Sequence, residues 1–148
     1  MALKKRETQK AEEEKLVKAM RKWQAVEDES IRMTKTIQAK TDNPLVRLVM
    51  EIIAHDSAMH RRVQQFVIDS VETSPIQLAP EDLEKIWDHI EQHIAEEKKT
   101  LELADEARLS TRFFVQRYLL NYLLEDERKH DLLLERLEEI KNRMYPYA

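Results

Sequence analysis

Cysteine is absent from the 148 residues, which excludes disulfides and thiolate metal sites. Glycine is absent as well. No stretch is rich in alternating β-branched residues, so no sheet is expected. No run approaches the ~18 uninterrupted apolar residues of a membrane span, so none is expected. The basic residues near the start are not followed by an apolar stretch, so no signal peptide is expected. Neither sign of charge dominates: 25 Lys and Arg are interspersed with 29 Asp and Glu, for a net charge of −4. That balance gives no reason to expect nucleic acid or an anionic membrane as a partner. Two short basic patches, Lys4-Lys5-Arg6 and Arg61-Arg62, read as solvated surface. A soluble cytoplasmic protein is the resulting expectation.

What is present is charged and apolar side chains, at 36% and 42%. A Glu/Lys/Arg/Leu/Ala-rich chain of this length reads as one all-α domain of long helices. Residues 1–13 are nearly all polar and read as an arm or a frayed helix. A first helix carries Leu16, Met20, Trp23, Glu27, Ser30/Ile31, Thr34 and Ile37 at helical spacing and ends near Lys40. Asn43 is placed to cap the second helix and Pro44 to occupy its first position. That helix runs to about Val71 with Leu45, Val49, Ile52/Ile53, Asp56, His60, Val63 and Val67 on one stripe. A break of roughly eight residues between Ser74-Pro75 and Ala79-Pro80 is long enough to cross the end of a bundle. The third helix starts at Pro80-Glu81-Asp82 and carries Leu83, Ile86/Trp87, Ile90, Ile94, Glu97, Leu101 and Ala104. Ser110 is the expected N-cap of a fourth helix reaching Met144, ahead of the tail Tyr145-Pro146-Tyr147-Ala148.

The middle of every stripe turns polar. In the fourth helix Val115, Leu119, Tyr122 and Leu123 lead to Asp126, Glu127 and His130 before Leu133, Leu137 and Ile140 resume. An unpaired buried charge costs several kcal/mol, so each of these groups needs a partner. Glu127 and His130 are three apart and leave the helix on one side, where an oxygen and a nitrogen converge as metal ligands do. A shift of seventy positions superimposes His60 on His130, Asp56 on Asp126, Ser57 on Glu127 and Glu27 on Glu97, with the apolar residues following. This is an internal repeat of a helix pair, residues 14–73 and 80–144 within a bundle over 14–144. Glu27, His60, Glu97, Glu127 and His130 are therefore the candidate metal ligands. They suit one or two ions of iron, manganese or zinc. Asp56 and Asp126 are candidates to accept a hydrogen bond from a ligand histidine of the facing helix.

These residues resemble the ferritin-like superfamily, which includes rubrerythrin and bacterioferritin. Asp126-Glu127-Arg128-Lys129-His130 matches its Asp-Glu-x-x-His motif, and Asp56-Ser57-Ala58-Met59-His60 matches except at Ser57. Glu27 and Glu97 stand at the single-glutamate positions. The resemblance implies an antiparallel four-helix bundle of two repeated helix pairs joined by a longer crossover. It also implies a di-metal carboxylate centre, usually di-iron, working with oxygen, peroxide or stored iron; family habit adds a homodimer. No cysteine is available for rubrerythrin's rubredoxin-like relay. Ser57 removes one charge and one or two oxygens from the second metal position. One ion held tightly and another weakly, a water, or His93 one turn before Glu97 would each answer that loss.

The bland alternative is a decayed site: a non-catalytic helical-bundle interaction protein whose polar groups only hydrogen-bond one another. His89 reads as solvated and His55 as an edge residue. Trp23, Trp87 and Phe66 read as core or subunit contact, and Met20, Met33 and Met59 as bundle filler.

Overall fold

The computed structural model describes the backbone of residues 2–144, all of it helix, turn or connection. The tail Tyr145–Ala148 lies outside the described residues. Five helices follow in order: α1 (Ala2–Gln38), α2 (Pro44–Glu72), α3 (Pro80–Glu84), α4 (Trp87–Leu109) and α5 (Phe114–Met144). The expected all-α class is observed. No helix among the described residues is long and apolar enough to cross a membrane. The chain divides into two compact units, residues 1–76 and 77–148. The first is a hairpin of α1 on α2; the second packs α4 and α3 on α5.

Helix boundaries follow local chemistry. Proline opens α2 and α3, where its missing N–H is one of the four that have no intrahelical partner anyway. Asn43 Oδ1 accepts the N–H groups of Leu45 and Val46, as its position before Pro44 predicts. Before α3, Asp82 Oδ2 accepts the Ala79 N–H and holds the start of the helix. α1 is helical from Ala2, with every residue from Lys5 to Glu12 exposed.

Two boundaries differ from expectation. Ser110 ends α4 instead of starting the next helix: its N–H donates to the carbonyls of Glu106 and Ala107. The turn into α5 is instead held by Thr111, whose Oγ1 accepts the Phe113 N–H. Thr41 does the same for Asn43 in the first hairpin. The third helix is also interrupted at Lys85–Ile86, where the Ile86 N–H returns to the Leu83 carbonyl. Leu83 and Trp87, on either side of that break, are both buried.

In α1, α2 and α5 the expected stripes hold in part, with Glu27 and Thr34 buried in α1 as expected, while at several places the next residue turns inward instead. Val17 and Gln24 are buried in α1, whereas Leu16 and Trp23 are exposed. In α2 Ser57, Gln64 and Ile68 are buried, and Val63 and Phe66 face solvent. In α5 Leu124 is buried and Leu123 and Leu133 are exposed. Only α4 keeps its expected line, through Trp87, Ile90, Ile94, Glu97, Leu101 and Ala104. Successive helical residues are about 100° apart, so two neighbours can both border an apolar stripe. The partner helix decides which of them turns inward. Trp23 and Phe66, expected in a core or contact, stand exposed; Trp87 is buried, with its indole N–H on Glu91 and Lys141 Nζ 4.0 Å from its ring centre.

Candidate metal centre

The candidate ligands fall into two groups, one in each hairpin. In the second hairpin α4 supplies Glu97, and α5 supplies Glu127 and His130 from adjacent turns. His130 Nδ1 lies 3.5 Å from Glu127 Oε2 and 3.8 Å from Glu97 Oε2. One ligand atom from each of these three side chains lies within 4.8 Å of the other two. His93 Nε2 approaches the other Glu97 oxygen at 3.2 Å, as its place one turn earlier on α4 allows. Asp126 Oδ2 is 3.6 Å from His130 Nε2. The expected acid–imidazole partnership therefore forms within α5 and not across to a facing helix, because four residues bring both groups to one side. Asp126 also pairs with Lys129. Asp56 lies 3.7 Å from its neighbour His55, not beside a histidine of the other helix.

Glu97 is 8% exposed, and its Oε2 is buried with no hydrogen-bond partner among the described residues. Burial holds the Glu127 carboxyl above the ordinary glutamate range, reinforced by the neighbouring Glu97 carboxylate and only partly offset by His130. Two carboxylates in one half-buried place cannot both ionise cheaply. A divalent cation would neutralise both acids at once. Two carboxylates and one imidazole, with one side open, are a donor set that iron, manganese and zinc accept.

The first hairpin places its pair differently. Glu27 is 6% exposed on α1 and lies 3.4 Å from His60 Nδ1 on α2. Ser57 points to Ser30, donating its hydroxyl at 3.1 Å. It contributes nothing to Glu27, so the missing carboxylate is not replaced at that position. Instead Gln64, one turn after His60, brings its Nε2 to 3.4 Å from Glu27 Oε1. Sequence reasoning overlooked Gln64. Its counterpart seventy residues on is Leu134, so the comparison of the two halves pointed away from it. The i,i+4 spacing from His60 was the available signal. Gln24, also overlooked, spans the same seam, donating to the Arg61 carbonyl and to Gln65 Oε1.

No protein-family model, curated protein or solved structure matches this chain.

Proposed function

We propose that this is a metal-binding helical protein of the ferritin-like kind, with Glu97, Glu127 and His130 as the ligands of a redox-active ion. The observation that carries the reading is the buried Glu97 oxygen left without a donor, beside a second acid and an imidazole on the facing helix. Iron is the proposed metal, with manganese and zinc compatible with the same donors. When bound, iron would supply electron-transfer chemistry toward oxygen or peroxide. The chain's own contributions are distinct from that. Glu97 bridges His93 and His130, Asp126 sits against the remaining nitrogen of His130, and the open side of the cluster admits a small oxidant. A homodimer and a cytoplasmic setting belong to the same proposal.

A second reading is a non-catalytic helical interaction protein with a degenerate site. The exposed Trp23, Val26, Val63 and Phe66 favour it, as does Ser57 bonding to Ser30. Metal analysis of protein purified without chelator separates the two. Stoichiometric iron, manganese or zinc that disappears in Glu127→Ala supports the metal centre. Metal-free protein of undiminished thermal stability supports the interaction module.

A further inference from the structure

We propose that the turn between α4 and α5 is a docking tip for the surface of an anionic lipid bilayer, with Phe113 and Phe114 as the inserting side chains and Arg112 and Arg117 as the partners of lipid phosphates. Phe114, Phe113 and Leu109 are 82%, 73% and 70% exposed, the three most exposed large apolar side chains among the described residues. They stand together at one end of the second hairpin: Leu109 closes α4, Phe113 precedes α5 and Phe114 opens it. The first hairpin shows that such a turn does not demand them. Seventy positions earlier, Ala39, Asp42, Asn43 and Pro44 occupy the places of Leu109, Arg112, Phe113 and Phe114. The two backbones close alike. Thr41 and Thr111 each accept the N–H two residues on, and the N–H groups of Arg47 and Arg117 return to the carbonyls of Asn43 and Phe113 at 3.1 and 3.0 Å. Asn43 also accepts two N–H groups of α2, which a phenylalanine cannot do for α5. The second turn therefore gives up a helix cap and presents two phenyl rings to solvent, a local cost that points to a partner.

Charge selects that partner. The whole chain carries a net −4, yet residues 107–124 hold three arginines and no acid, the longest acid-free stretch in the sequence. Arg108 pairs with Asp105, whereas Arg112 and Arg117 are exposed and form no ion pair among the described residues. Phe114, Arg117 and Tyr118 lie on one side of α5, at positions three and four apart. Aromatic rings beside guanidinium groups suit the boundary between acyl chains and phosphates. A bilayer also receives a convex tip without offering a matching pocket, and contact at its surface needs no spanning helix. A twofold contact with a second copy through this tip would instead set the unpaired arginines against their own counterparts. The proposal is independent of any metal in the second hairpin.

Flotation of the full chain with vesicles tests this, using equal parts phosphatidylcholine and phosphatidylserine against phosphatidylcholine alone. Wild type is expected to float with the mixed vesicles, about tenfold more than with the neutral ones, and to be released as salt is raised. The double substitution Phe113→Ser with Phe114→Ser should cut the partition about tenfold. Arg112→Gln with Arg117→Gln should cut it about thirtyfold, since two cations leave the anionic surface. All four side chains are exposed, so circular dichroism should show both variants as helical as wild type. Wild type that floats with neither vesicle, that floats equally with both, or whose binding ignores both double substitutions overturns the proposal. A concentration-dependent dimer that is lost in the phenylalanine variant, from a protein that ignores vesicles, overturns it in favour of a second copy.

Discussion

Replacing Glu97 by glutamine separates a ligand from a merely structural acid, because the two roles predict changes of different sign. The substitution keeps the side chain's shape and removes its charge. In the metal-free protein it relieves the part of the Glu127 shift that Glu97 adds to the larger effect of burial, and it ends the desolvation of a carboxylate that is 8% exposed. It also weakens the approach of His93 at 3.2 Å, but that histidine is largely exposed and its ion pair contributes little. Stability in chelator should therefore change by less than about 1 kcal/mol, or rise. Metal binding should move the other way. Four-ligand zinc sites are worth about 10–16 kcal/mol, so one carboxylate ligand accounts for about 3 kcal/mol, or about a hundredfold in affinity. At a free metal concentration of 100 times the wild-type Kd, the wild type gains about 2.7 kcal/mol and the variant about 0.4. At about 2–4 °C per kcal/mol, the metal-induced rise in Tm falls from about 5–10 °C to about 1 °C. Differential scanning calorimetry with zinc and with chelator reads both numbers. Equal metal-induced shifts in the two proteins would refute the assignment of Glu97 as a ligand.

Glu127 makes the metal-free protein sensitive to pH. Its folded pKa is raised above the ordinary 4.5, so its stabilising contribution is full below that value and is lost as pH rises through the raised one. Urea unfolding in chelator should show the advantage of wild type over Glu127→Gln shrinking as pH rises from 4.5 toward neutrality; a difference constant with pH contradicts this. Ser57→Glu puts a second carboxylate beside Glu27 and His60. It should lower stability in chelator and raise the number of tightly bound ions per chain, measured by elemental analysis after desalting. Asn43→Ala removes the acceptor for two α2 N–H groups and should cost about 1 kcal/mol in thermal or denaturant unfolding. Trp87→Ala should cost about 3–5 kcal/mol in the same assay, because the indole is buried against α5 and carries Lys141 over its face.

The amino-acid order by itself determined the long helices, the starts of α2 and α3, and which candidate ligands share a helix side. With no glycine to interrupt the chain, Asn43-Pro44 and Pro80 fix where α2 and α3 begin, since capping and proline sterics act within a few residues. Helical spacing likewise put Glu127 and His130 on one side of α5. Tertiary packing decided what local rules leave degenerate. It turned Gln24 inward instead of Trp23, and Leu124 instead of Leu123, because neighbours at the edge of a stripe are equivalent until a partner helix covers one of them. It also sent Ser57 to Ser30 and set Gln64 against Glu27, contacts between residues 27 and 37 positions apart whose pairing depends on how α1 and α2 meet.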